Sequence, residues 1–140
     1  MGKPILYRAK AINRIKGNFY RTKYKNGDWV YGLVTRLSPK YNEAEMRNTD
    51  GIDGIDVDID TISEYIGIDD IVGTMIFDGD ILEFEFETIG KQLAVVKYST
   101  QFNAGFLLEP INNFAFTTTD KGRVVGNIFD NPELLKKKKK

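Results

Sequence analysis

Between residues 81 and 87 the chain alternates strictly: Leu82, Phe84 and Phe86 take one parity, Glu83, Glu85 and Glu87 the other. A period of two is the pattern of a β-strand with one buried and one wet face, and a helix cannot accommodate it. Shorter runs of the same kind recur along the chain. Ile5, Tyr7 and Ala9 alternate with Leu6, Arg8 and Lys10. Phe19 to Tyr24 and Trp29 to Leu37 flank the turn Lys25-Asn26-Gly27-Asp28, where Asn-Gly tolerates positive φ, and together they predict a hairpin. Gln92 to Tyr98, Gly105 to Leu108, Asn113 to Thr118 and Arg123 to Phe129 complete the series, separated by Gly-, Asn- and Asp-bearing turns. Short strands at roughly ten-residue spacing mark a small barrel or sandwich.

The pattern has interruptions. Gly32 inside a strand suggests a bulge or a close backbone approach. Ser38 to Asp60 is the least regular part: its first half is turn-like, and its second half alternates aspartate with Val57 and Ile59, as an edge strand with one wet face does. Thr61-Ile62-Ser63-Glu64 has the form of a capping box and Gly67 of a helix stop, which predicts a helix of one to two turns over Ile62 to Ile66, plugging one end of a barrel. Asn131-Pro132-Glu133 predicts the start of a second short helix, with asparagine as cap and proline at the first helical position. The expected fold is thus mostly β, a small barrel with an N-terminal β extension and one or two short helices.

A chain of 140 residues fits one domain, and at that size folding buries about two thirds of the surface the unfolded chain exposes. No disulfide or metal is needed to supplement such a core. The sequence contains neither cysteine nor histidine. That removes thiolate chemistry, the commonest zinc ligand, the commonest general base and the usual partner of a catalytic triad. Weight therefore shifts from catalysis to binding: no catalytic residue, metal site or cofactor is expected. No apolar run approaches the ~20 residues of a membrane span, and Met1 to Lys10 lacks an apolar core of signal-peptide length. The expected location is the cytoplasm.

The formal net charge is zero, but the charge is segregated. Residues 1–47 carry eleven basic and three acidic side chains, a net of +8; residues 48–90 carry thirteen acidic and no basic ones, a net of −13; residues 91–140 carry nine basic and four acidic, a net of +5. Two readings are open. The acidic middle pairs with the basic flanks, within one molecule or between copies, or each patch meets an outside partner.

Several of these segments resemble one family. Asn26-Gly27-Asp28-Trp29-Val30-Tyr31-Gly32, Thr61-Ile62-Ser63-Glu64-Tyr65-Ile66-Gly67, Phe77-Asp78-Gly79-Asp80-Ile81, Ala104-Gly105-Phe106 and Val125-Gly126-Asn127-Ile128-Phe129-Asp130-Asn131-Pro132-Glu133-Leu134-Leu135 are similar, in order and spacing, to the motifs of the YopX-like proteins of phages and prophages. The ending is the most specific of them. The resemblance covers roughly Tyr7 to Leu135. It implies an SH3-like small barrel and a phage setting, hence the cytoplasm of a bacterial host, and implies no known activity. On this reading 1–135 is a single YopX-like domain, comprising a basic β subregion (1–47), an acidic loop or edge (48–60) and the SH3-like barrel part (61–135), followed by a disordered lysine tail (136–140). The linker Asp69 to Thr74 and the acidic run Asp50 to Asp60 depart from the family pattern.

Four groups of residues carry candidate chemistry. Asp56, Asp58 and Asp60 have the spacing of the first ligands of an EF-hand, but the following glycine is replaced by Thr61 and the closing glutamate by Gly67. Glu83, Glu85 and Glu87 form either an acidic binding ladder or a metal-dependent nuclease site, or else the wet outer face of a barrel strand, paired with residues such as Lys91 or Lys97. Asp78 and Asp80 are either a carboxylate pair or a turn whose second aspartate binds backbone amides. Arg8, Lys10, Arg14, Lys16, Arg21, Lys23 and Lys25, interleaved with Phe19, Tyr20 and Tyr24, have the makeup of a nucleic-acid groove. Trp29 and Tyr31 share a face, as core or as a subunit contact. The expected function is a non-enzymatic β module that binds another protein or a second copy of itself as a homo-oligomer, with nucleic acid as the alternative partner and no membrane.

Overall fold

The structure, a computed structural model, describes residues 5–12, 24–48, 54–87, 90–99, 105–109, 114–115 and 122–136. Two compact units divide the chain, Met1–Tyr65 and Ile66–Lys140. It is mostly β, built of two antiparallel sheets, and the helical turns among the described residues are short 3₁₀ turns.

The first unit contains β1 (Tyr7–Lys10), β2 (Trp29–Ser38), β3 (Glu43–Asn48), β4 (Gly54–Asp58) and the start of β5 (Ser63–Asp69), in the order β4-β3-β2-β1-β5. Asn26-Gly27 forms the expected turn. Gly27 takes φ +92°, its N–H donates to the Ala11 carbonyl, and the Asp28 carboxylate accepts from the Lys25 N–H at 2.9 Å. The residues before Tyr24 in the expected hairpin lie outside the described residues; the strand paired with Trp29 to Gly32 is β1. One face of the sheet buries Ala9, Ala11, Val30, Ala44, Met46, Ile55 and Val57. Ala11 bridges Val57 and the Ile12 N–H donates to the Asp56 carbonyl at 2.8 Å, so the residues just after β1 reach the strand at the far end of the order.

Three expectations are corrected here. Ile62 to Ile66 is not a helix: a 3₁₀ turn at Ile59–Thr61 is followed by β5. The Thr61 hydroxyl does not cap a helix; it accepts from the Lys10 N–H and donates to the Asp58 carbonyl. The next residues then pair with β1, with Tyr65 N–H donating to the Leu6 carbonyl. Ser63, Tyr65 and Ile66 gain burial that an isolated turn of helix would not give them. Gly67, read as a helix stop, sits within β5 at φ +91°. Second, the bulge in β2 falls between Val34 and Arg36 rather than at Gly32, which pairs regularly with Tyr7 and Asn48. Third, Glu43–Asn48 is a strand within the stretch read as irregular, with Ala44 and Met46 inward.

The second unit contains the end of β5, its neighbour β6 (Met75–Phe77), and β7 (Asp80–Phe86), β8 (Gly90–Ser99), β9 (Gly105–Glu109), β10 (Phe114–Ala115) and β11 (Arg123–Asn127), the last five in the order β10-β9-β8-β7-β11. Ile66, Ile76, Leu82, Phe84, Ala94 and Val96 form its core, with Val124 packed against them. The alternation that opened the sequence is realised with a modification. Glu83 and Glu85 face away from the core, Glu85 opposite Lys91, while Ile81 is buried as well as Leu82. Pro132–Leu135 is a 3₁₀ turn, and the Asn131 side chain does not cap it. Residues 137–140 of the lysine tail lie outside the described residues.

Candidate functional site

The most specific sequence motifs fold onto one another. Asp80 is 1% exposed, and its carboxylate accepts from the Phe77 N–H at 2.8 Å, which fixes the turn at Asp78-Gly79 where Gly79 takes φ +89°. Asp80 lies opposite Asn127 in the β7–β11 ladder. The Asn127 carboxamide oxygen accepts from the N–H groups of Phe129 and Asp130, each at 2.9 Å, and its Nδ2 donates to the Asp130 carboxylate. Asn131 answers in the other direction: its Oδ1 accepts from the Asn127 N–H at 3.2 Å. A Cβ on Gly126 would sit 2.6 Å from that oxygen, which is why a residue without a side chain stands there. The Ile128 N–H donates to the Gly79 carbonyl at 2.9 Å, tying the two turns together.

Asp70, which the sequence pattern did not single out, belongs to the same framework. It is 6% exposed. Oδ1 accepts from the N–H groups of Val72 and Thr74, and Oδ2 from Val124 on β11, at 2.8–2.9 Å. Burial pushes its pKa up, but the three backbone N–H groups and the nearby Arg123 outweigh burial and hold it below the ordinary carboxylate value. Asp70 and Asp80 thus serve the backbone.

The outer face of the first unit is different. Arg8 and Lys10 on β1 stand opposite Tyr31 and Trp29 on β2. The Arg8 guanidinium lies 4.5 Å and the Lys10 ammonium 5.3 Å from the Trp29 ring centre, both within cation–π range. Tyr31 and Leu33 continue that face at 36% and 49% exposure, so Tyr31 is surface rather than core, and Leu33 is opposite Arg47. Beyond the bulge the sign reverses. Arg36 pairs with Glu45 at 3.6 Å, Glu45 stands opposite Asp56, and Glu43 opposite Asp58. Facing like charges destabilise a ladder. Asp58 and Asp60 are held by the Asn42 carboxamide, with Asn42 at φ +56°. Among the described residues no three carboxylates are grouped to hold a metal ion.

Of the seven basic candidates, Arg8 is buried at 7% exposure, Lys10 is half-buried, and Lys25 is exposed on the Asn-Gly turn. Arg14, Lys16, Arg21 and Lys23 lie outside the described residues, as do Phe19 and Tyr20. Leu33 had a signal in the sequence: it shares the parity of Trp29 and Tyr31 once the strand is set by the Asn-Gly turn. Among the described residues no helix is long and apolar enough to cross a membrane.

The motifs that interlock at β7 and β11 lie inside the match of the YopX protein family to residues 10–136. The chain belongs to the YopX family. No curated protein matches it. In this YopX chain the Phe77-Asp78-Gly79-Asp80 and Asn127-to-Asn131 motifs have structural work that accounts for their residue types. Exposed apolar side chains occur in both units, Ile71, Val72 and Tyr98 among those of the second; on the outer face of β1–β4, Tyr31 and Leu33 lie between cationic and anionic side chains.

Proposed function

We propose that this chain is a non-enzymatic binding module, an accessory protein of phage or prophage origin that works in the bacterial cytoplasm, and that its working surface is the outer face of β1–β4. The observation that carries this reading is the composition of that face: Tyr31 and Leu33 exposed at its centre, cations beside Trp29 at one end and opposed carboxylates at the other. Aromatic and apolar anchors rimmed by ordered charge are the makeup of a protein-recognition surface. The bridge from Ala11 to Val57 supports an SH3-like, barrel-like closure of the strands that carry it. With neither cysteine nor histidine in the sequence, chemistry by the usual nucleophile–base pairs is not available to it.

Nucleic acid is the second reading, favoured by the stacking of Arg8 and Lys10 on Trp29, with Lys25 on the adjoining turn and Arg14, Lys16, Arg21 and Lys23 between them in sequence. The two readings separate in one experiment. The tagged full chain is used to capture partners from bacterial lysate with and without nuclease, beside a Leu33→Asp variant. A protein partner survives nuclease and is lost with Leu33→Asp. A nucleic-acid partner disappears with nuclease and is released steeply by salt. Equal capture by the variant and the native chain in both arms refutes the assignment of this face.

A further inference from the structure

We infer that the partner on this face is a second copy of the chain, docked through a two-fold axis that passes close to Leu33. This rests on the binding-module reading and makes it specific.

The argument is the arrangement of charge in the β-ladder register. Successive outward positions along β2 and its neighbours fall in rows. The first two rows hold Lys10 with Trp29 and Arg8 with Tyr31. The middle row holds Leu33 and Arg47. The last two hold Arg36, Glu45 and Asp56, then Glu43 and Asp58. The face is therefore aromatic beside the half-buried Lys10 at one end, where Arg8 is itself buried, anionic at the other, and holds Leu33 next to Arg47 at its midpoint. A surface graded in that way is complementary to itself after a half-turn. The end bearing Lys10 meets the copy's Glu43 and Asp58, the reverse contact repeats it, and Leu33 meets its own copy at the centre. An isologous dimer needs this property of a single patch.

The five rows span about 27 Å along the strands and three strand spacings about 14 Å across them. Such a patch, about 380 Å² per copy, is smaller than a standard specific interface. The dimer is accordingly weak and salt-sensitive, in equilibrium with monomer at micromolar or higher concentration.

Sedimentation or light scattering of the full chain against concentration and salt tests this. The native chain should dimerise at low salt and bind itself at least tenfold more weakly at about 0.5 M salt, where the screening length falls to a few ångströms. Leu33→Asp places two carboxylates at the axis and should be monomeric. It sits opposite Arg47 in its own chain, so folding is retained, and an unchanged circular dichroism spectrum checks this. Lys10→Glu should also be monomeric, and Lys10→Glu with Glu43→Lys should recover the dimer, since the exchanged charges meet again across the axis. A native chain that is monomeric at every concentration in low salt overturns the inference, as does a dimer indifferent to Leu33→Asp. The lysate capture distinguishes the two levels of failure. If the native chain is monomeric but Leu33→Asp abolishes capture, the face binds something else and only the self-docking is wrong. If capture is also indifferent, both fall.

Discussion

Replacing Asp70 with asparagine tests how much of the second unit hangs on one carboxylate. Three backbone N–H groups donate to it, from Val72, Thr74 and Val124. A hydrogen bond to a charged acceptor contributes about 1.5–3 kcal/mol, and a neutral one about 1. Val72 and Thr74 are exposed, so water partly replaces what they lose. Val124 is half-buried against the core, so its amide bears the larger share. Asparagine keeps the shape but sets an N–H₂ group against at least one donor. The expected loss is about 2 kcal/mol, and about 3 for alanine. The pH dependence separates this from a packing effect. The folded-state pKa of Asp70 lies below that of the unfolded chain, so its contribution is complete above the unfolded value of about 4 and is lost as pH falls through the folded one. Urea denaturation at neutral pH and at steps below pH ~4 should show the native chain converging on Asp70→Asn as acid is added. Amide hydrogen exchange should locate the change at Val124. A variant within about 0.5 kcal/mol of the native chain at neutral pH, the scatter of ordinary surface substitutions, or a constant difference across the acid range would refute the reasoning.

Further substitutions test other parts of the framework by the same denaturation assay. Asn127→Ala removes the acceptor of two amides within the closing turn and should cost about 2 kcal/mol, with Phe129 and Asp130 losing exchange protection. Gly126→Ala, whose Cβ would meet Asn131, should cost about 1–3 kcal/mol, and Asn131→Ala in the same chain should recover part of it. Gly122→Ala drives a methyl to 2.8 Å from the ring of buried Phe84 and should cost a similar amount. Met46→Ala empties the centre of the first core, where Met46 is fully buried, at about 2–5 kcal/mol.

Strands whose two faces differ were legible in the sequence. Trp29 to Leu37 and the Leu82–Phe84–Phe86 run appear within a residue or two of their positions, because alternation and turn chemistry agree there. Glu43–Asn48 was not legible: only Ala44 and Met46 mark its inner face, and glutamate and alanine are poor strand formers. The helix at Ile62 to Ile66 was a capping box in letters only. Thr61 had a better partner in the Lys10 amide, a residue far away in sequence, and local reading cannot see that competition. Arg123 to Phe129 extends two residues past the strand, because Asn127 captures the Phe129 and Asp130 amides and ends it. The outer face was half legible. The basic residues and Trp29 stood out, but their grading against Glu43, Glu45, Asp56 and Asp58 exists only through the register of three strand pairs.

Asp70 and Asn131 have a consequence for what the chain avoids. β11 ends the order of its sheet, and the terminal strand of a sheet is a template for any extended segment that meets it. Here the Val124 amide is occupied by Asp70 and the Asn127 amide by Asn131, so the template is masked by side chains rather than by another strand. Protonating Asp70 would uncover part of it. Acid therefore does more than weaken the second unit: it frees the Val124 donor on an edge strand, where an unfolded neighbour can begin to pair, and clumping at low pH should begin at this strand before the core has melted.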